Sequence, residues 1–130
     1  GWSCGSGGCG RWGSRPRGSY TNQGNLPVVD DARCTFITGM FQSTLTDFLR
    51  TFERRGRLVV HLDADLYSST LFCLFSLASH LKSGDLLIFD EFDMTTHEFR
   101  AFVDFEGIFG IRTVLVGEAN GYNKVVLKVE

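Results

Sequence analysis

The sequence predicts an α/β fold in which apolar strands alternate with amphipathic helices. Short apolar runs are bounded by turn residues, and the segments between them carry apolar residues at helical spacing. This alternation favours a mainly parallel sheet with helices on both faces. Asn120-Gly121 separates the last two apolar runs and favours a C-terminal antiparallel hairpin. The predicted pattern is β-α-β-α-β-α-β-β.

The strands are predicted at the apolar runs, which are residues 34–38, 58–62, 85–89, 111–116 and 124–129. The second of these runs is expected to be fully buried. The helices are expected to begin at hydroxyl caps, which are Ser43 or Thr44, Ser68 or Ser69, and Thr95. Thr95 and Glu98 have the spacing of a capping box.

Composition excludes several classes of partner. The net charge of −2 gives no electrostatic reason to expect nucleic acid or an anionic membrane. No apolar run reaches the ~18 residues that span a bilayer. Cys34 and Cys73 fall in apolar segments and are predicted to be small core residues, without a disulfide or zinc. We therefore expect a cytoplasmic protein.

Residues 1–25 are predicted to form an irregular or disordered glycine-rich head, and residues 26–130 the folded part. Gly5, Gly7 and Gly10 fit the pattern G-x-G-x-x-G. A dinucleotide-binding loop needs a strand before this pattern and a helix after it, and the head offers neither. We therefore expect no phosphate-binding loop there.

Acidic residues follow two neighbouring predicted strands. Asp63 and Asp65 come after the run 58–62, and Asp90-Glu91 ends the next run. The carboxyl ends of parallel strands lie at one rim of a sheet, where α/β proteins bind their ligands. Carboxylates gathered there repel each other unless a cation is present, and Mg²⁺ prefers such ligands.

Several chemistries place a D-x-D at the end of a strand. A glycosyltransferase uses it to hold a metal and a sugar-nucleotide diphosphate, and Asp63-Ala64-Asp65 fits that pattern. An aspartyl-phosphate enzyme needs Thr or Val where this chain has Tyr67. The simplest alternative is that Asp65 caps the next helix and Asp63 makes local hydrogen bonds.

The order and spacing of the motifs over residues 24–130 resemble the macrocin O-methyltransferase family, a branch of the class I S-adenosylmethionine-dependent methyltransferases. The matching residues lie in three segments: Gly39, Phe41, Thr44 and Leu45; Leu62, Asp63, Asp65, Tyr67, Ser69 and Thr70; and Ser83, Gly84, Asp90, Glu91 and Phe92.

The resemblance implies a Rossmann-like methyltransferase sheet, S-adenosylmethionine and Mg²⁺ as cofactors, and a small-molecule hydroxyl, such as that of a sugar, as the methyl acceptor. It implies that Asp63, Asp90 and Glu91 ligate the metal and that Asp63 is also the general base. Glu91 stands where the family usually has Asp and keeps the carboxylate. Residues that would hold S-adenosylmethionine are not identified.

In this family two βα units with the cofactor loop precede the segment that begins at Gly39. Residues 1–38 are mostly glycine-rich, so we expect these N-terminal units to be missing. The isolated chain should then bind S-adenosylmethionine weakly or not at all. The run 58–62 should have an open apolar edge through which the chain could self-associate. The non-enzymatic alternative is an inactive remnant that acts as an interaction module.

Overall fold

The computed structural model describes residues 25–130, so the predictions for Gly5, Gly7 and Gly10 lie outside the described residues. The described residues fall into two units, residues 25–37 and residues 38–130. In the first unit, residues 25–37 contain one turn, at residues 32–33, and no helix or strand. The strand predicted at 34–38 is therefore wrong. Cys34 is exposed, which contradicts its predicted place in the core.

The second unit contains three α-helices and four strands. In chain order they are α1 (Phe41–Thr51), β1 (Val59–Leu62), α2 (Tyr67–Leu77), β2 (Leu86–Phe89), α3 (Glu98–Phe109), β3 (Thr113–Ala119) and β4 (Lys124–Val129), with one turn of 3₁₀-helix at Ala78–His80 after α2. None of the described helices is long and apolar enough to cross a membrane.

The four strands form one mixed sheet in the order β1-β2-β4-β3. β1 and β2 are parallel, as a crossover through α2 requires, whereas β4 runs antiparallel to both of its neighbours. The predicted C-terminal hairpin is confirmed. Because β4 is antiparallel to both β2 and β3, the strands β1, β2 and β3 of the described sheet run in one direction and β4 runs in the other, as predicted for a mainly parallel sheet with a C-terminal antiparallel hairpin. The hairpin folds back so that β4 lies between β2 and β3, where Val125, Leu127 and Val129 become buried.

The core of this unit lies between one face of the sheet and a layer of helices. Leu87 and Phe89 of β2 meet Leu74 of α2 and Phe105 of α3, and all four side chains are fully buried. α1 packs against α2, and α2 packs against α3. The helices described in residues 38–130 therefore form one layer, rather than the two layers that the alternation predicts.

β1 is an edge strand of this sheet, and its exposure follows from that position. Leu62 faces the core, but Val59 points to the other face and is 52% exposed. The prediction that this strand is fully buried is therefore wrong, because an edge strand in a sheet with one helix layer has neighbours on two sides only.

The helices do not begin at the predicted hydroxyl caps. Met40, Leu66 and His97 are the N-cap residues, and none of them makes a side-chain cap hydrogen bond. The Thr44 hydroxyl donates to the Met40 carbonyl at 3.1 Å instead. The predicted caps of the first two helices, Ser43 or Thr44 and Ser68 or Ser69, therefore lie inside α1 and α2, whereas Thr95 lies two residues before the N-cap of α3.

A buried ion pair joins the start of β1 to the start of β2. Asp85 is fully buried and accepts hydrogen bonds from the Arg54 guanidinium at 2.5 and 2.6 Å. It also accepts the main-chain N–H groups of Leu58 at 2.9 Å and Lys82 at 2.8 Å. Burial alone would raise the pKa of the Asp85 carboxyl, but these donors outweigh it and lower that pKa.

Replacing Asp85 tests the weight of this interaction. We expect Asp85→Ala to lower the free energy of unfolding by about 3–5 kcal/mol, because it leaves a guanidinium and two amides without their partner. Urea denaturation followed by circular dichroism measures the change. Asp47, which forms an exposed ion pair with Arg50, is the control, and Asp47→Ala should have little effect. Equal small losses for the two variants would contradict this assignment.

Candidate active site at the acidic rim

The parallel pairing of β1 and β2 brings the predicted acidic residues to one end of the sheet. Leu62 lies opposite Phe89 in the register, so Asp63 and Asp90 follow at neighbouring positions. The Asp90 N–H donates to the Leu62 carbonyl at 3.2 Å, which continues the strand pairing by one residue. We use the term acidic rim for the five carboxylates at this end, Asp63, Asp65, Asp90, Glu91 and Glu98.

The carboxylates of the acidic rim interact electrostatically across the two loops. Burial is the main cause that raises the pKa of Glu91, and repulsion from Asp65, Glu98, Asp63 and Asp90 adds to it. The pKa of Asp65 is raised by burial and by repulsion from Asp63 and Asp90, and His97 partly offsets this. The part of these shifts that comes from repulsion reflects the negative charge that the carboxylates concentrate at this end of the sheet.

Lys124 supplies positive charge at the acidic rim. It is the first residue of β4, next to Val125, which lies opposite Phe89 of β2. Its ammonium is in direct contact with the Asp90 carboxylate. His61 Nε2 lies 3.9 Å from the same Asp90 oxygen. Asp90 therefore contacts an ammonium and lies near an imidazole.

Asp65 occupies a sharp turn between β1 and α2. Its φ of 56° lies in the left-handed region, and the Leu66 N–H donates to the Ala64 carbonyl at 2.5 Å across it. Asp tolerates this conformation better than most residues other than glycine. The prediction that Asp65 caps the next helix is wrong, because Leu66 is the N-cap residue of α2. Asp65 instead turns the chain.

Glu98 is the acid of the rim whose place the sequence analysis missed. It is the first residue of α3 and fully buried. Its Oε1 accepts the Ala64 N–H at 3.2 Å, and its Oε2 accepts the Glu91 N–H at 3.1 Å. Burial raises the pKa of Glu98, although these amides partly offset the effect. The sequence analysis missed this role because Thr95 and Glu98 have the spacing of a capping box, in which the glutamate accepts a backbone N–H at the start of its own helix.

Tyr67, which follows the D-x-D acids Asp63 and Asp65 in the sequence, makes its hydrogen bond to a helix and not to the acidic rim. Its hydroxyl donates to Asp104 Oδ2 at 2.9 Å, and Arg100 Nε donates to the same oxygen at 2.9 Å. These hydrogen bonds lower the pKa of Asp104 and raise that of Tyr67. Tyr67 is the first residue of α2, so this hydrogen bond joins the start of α2, just after the loop with Asp63 and Asp65, to α3.

The carboxylate oxygens of the acidic rim are the type of ligand that a hard cation such as Mg²⁺ usually has in proteins. Among residues 25–130, no three His, Cys, Asp or Glu side chains are arranged to hold a metal ion. Asp63, Asp90 and Glu91 lie at the same end of the sheet, but their side chains are not arranged around a common point, and Asp90 forms an ion pair with Lys124 instead. Their role as metal ligands stays a prediction.

A cavity of about 340 Å³ lies at the other end of the sheet. Lys82, Arg112 and Glu130 supply its charged lining, beside apolar residues such as Ile111 and Val129. Val129 is at the end of β4 opposite to Lys124, so this cavity is separate from the acidic rim. The chemistry predicted from the sequence concerns the rim and not this cavity.

Comparison with known proteins supports one family. A search of curated proteins finds no match to the chain. The family model described as macrocin-O-methyltransferase (TylF) matches residues 24–117, which is well over half of the 130 residues and includes β1, β2 and all five acids of the rim. The match agrees with the resemblance seen in the motifs, and the chain belongs to the macrocin O-methyltransferase family.

Proposed function

We propose that this chain is a metal-dependent, Rossmann-like O-methyltransferase domain that transfers a methyl group from S-adenosylmethionine to a hydroxyl of a small molecule such as a sugar. One observation carries the proposal: in a member of this family, Asp63 and the pair Asp90-Glu91 end two adjacent parallel strands at the same rim. Methyltransferases use S-adenosylmethionine in general, and the rim supplies the acids for the acceptor side of the reaction.

Asp63 is proposed as the general base. It is exposed at the end of β1, where an acceptor hydroxyl can approach, and a carboxylate at that point can take the hydroxyl proton. Asp63, Asp90 and Glu91 would hold Mg²⁺, which when bound lowers the pKa of a hydroxyl and fixes its position. Orientation of the acceptor oxygen toward the methyl donor then supplies much of the rate.

The family match favours this proposal over a D-x-D glycosyltransferase. The two functions make different demands on the rim. A glycosyltransferase would use Asp63 and Asp65 together and gives no role to Asp90. The methyltransferase uses Asp63 and Asp90, and Asp65 already has a backbone role in the turn before α2.

Binding of Mn²⁺, a paramagnetic substitute for Mg²⁺, distinguishes the two functions. We expect Asp63→Asn and Asp90→Asn each to weaken Mn²⁺ binding by at least about tenfold, because each removes a charged ligand. Asp65→Asn should have a much smaller effect. Electron paramagnetic resonance of free Mn²⁺ measures the dissociation constants.

Asp47→Asn on α1 removes the same charge from an exposed ion pair and is the matched control, with no expected change. Loss of binding in Asp63→Asn and Asp65→Asn, with Asp90→Asn unaffected, would contradict the methyltransferase proposal and support the glycosyltransferase.

The methyl donor can be tested with S-adenosylhomocysteine at millimolar concentration, in the presence of Mg²⁺. We expect weak binding that shifts the amide resonances of the loops after β1 and β2, because the donor must approach the acceptor oxygen beside Asp63. Two-dimensional NMR detects such shifts even when binding is too weak for calorimetry. A sugar nucleotide is the control and should leave these amides unchanged. Shifts caused by the sugar nucleotide alone would contradict the assigned donor.

Lys124 should compete with a divalent cation for Asp90. We expect Lys124→Met to strengthen Mn²⁺ binding by about tenfold, since it removes a positive charge in contact with a proposed ligand. Lys128→Met is the matched control on the same strand, because Lys128 lies opposite Leu86 near the other end of β2. Equal affinity in the wild type and in Lys124→Met would show that the ammonium does not occupy the cation position.

A further inference from the structure

Glu98 connects the two acidic loops through their main chains. Its carboxylate lies between the residue after Asp63 and the second acid of the Asp90-Glu91 pair, and each oxygen accepts one N–H, from Ala64 at 3.2 Å and from Glu91 at 3.1 Å. The two donors belong to loops that follow different strands, so one side chain holds both loops.

The chemistry of this bridge requires a carboxylate. Two N–H groups converge on one side chain, and only a carboxylate offers two acceptor oxygens without a donor. A glutamine would present an NH₂ group to one of the two amides. Hydrogen bonds to an ionised acceptor are also stronger than those between neutral groups, which offsets part of the cost of burying Glu98 beside other acids.

The position of Glu98 makes the bridge rigid. It is the first residue of α3, and the helix is anchored in the core by Phe102 and Phe105. Because the helix is packed in the core, the Glu98 carboxylate has a fixed position, and its hydrogen bonds restrain the two loops relative to α3. A backbone N–H is one bond from the Cα of its own residue and two bonds from the Cα of the preceding residue. Holding the Ala64 and Glu91 amides therefore fixes where the side chains of Asp63 and Glu91 begin.

We propose that Glu98 is a positioning residue that holds the Asp63 loop and the Asp90-Glu91 loop at a set separation, and so determines the spacing of the carboxylates that bind the cation. The effect of Glu98 on cation binding rests on the proposed function, because it requires that the acidic rim binds a divalent cation. The bridge itself does not, and the two parts have separate readouts.

Amide hydrogen exchange tests the bridge without a metal. In the wild type the Ala64 and Glu91 amides should be protected. In Glu98→Gln at least one of them should exchange about tenfold faster, because its acceptor is replaced by an NH₂ group. Glu106→Gln is the matched control: Glu106 lies on the same helix and accepts the Thr113 hydroxyl at 2.8 Å, away from the acidic loops. Unchanged protection in Glu98→Gln would overturn the bridge.

Mn²⁺ affinity tests the consequence for the site. Glu98→Asp keeps the charge but is one methylene shorter, so it cannot reach both loops. We expect Glu98→Gln and Glu98→Asp each to weaken Mn²⁺ binding by about 10–100-fold, and Glu106→Gln to leave it unchanged. Wild-type affinity in Glu98→Asp would show that only the charge of Glu98 matters and would overturn the positioning role.

The two experiments fail separately. If the wild type binds no Mn²⁺, the metal dependence in the proposed function fails, and with it the role of Glu98 in spacing metal ligands. The exchange rates of Ala64 and Glu91 still decide whether the bridge exists. Thermal melting of both Glu98 variants establishes that they are folded, and Glu98→Asp serves where Glu98→Gln does not fold.

Discussion

The parallel pair of β1 and β2 is the interaction on which the candidate site depends, and a buried carboxylate ties each end of it. At the start of the pair, Asp85 accepts the Leu58 and Lys82 amides and the Arg54 guanidinium. At the other end, Glu98 accepts the amides that follow each strand. β1 is an edge strand and has only β2 beside it in the described sheet. Its register, and hence the meeting of the two acidic loops, therefore relies on these side chains more than a central strand would.

The two buried carboxylates differ in how their charge is balanced. Asp85 has a guanidinium partner, and its donors lower its pKa despite burial. Burial raises the pKa of Glu98 and repulsion from Asp63 adds to the rise, while its amide donors offset only part of it. The start of the strand pair is thus neutralised within the fold, whereas the rim keeps an excess of negative charge that Lys124 only partly balances. This difference makes the rim the end of the sheet at which an external cation would be attracted.

The sequence predicted the local elements better than their arrangement. Apolar runs located β1 and β2, and Asn120-Gly121 located the hairpin, because these signals depend on neighbouring residues. The place of β4 between β2 and β3 depends on long-range packing and could not be read from the hairpin itself. The segment 34–38 has the composition of a strand, but Phe36 and Ile37 remain exposed, and composition does not supply a pairing partner.

The same limit applies to the site. Spacing along the chain placed Asp63 and Asp90 at one rim, because the rule that parallel strands end together needs only the topology. Spacing alone could not distinguish the role of Asp63 from that of Asp65, because both acids belong to one D-x-D motif. The φ of 56° at Asp65 does so, since a residue that must turn the chain in the left-handed region has a reason to be Asp without binding anything. Asp63, which lies in line with β1 and has no such backbone demand, is then the acid of the motif whose identity is best explained by chemistry at the rim.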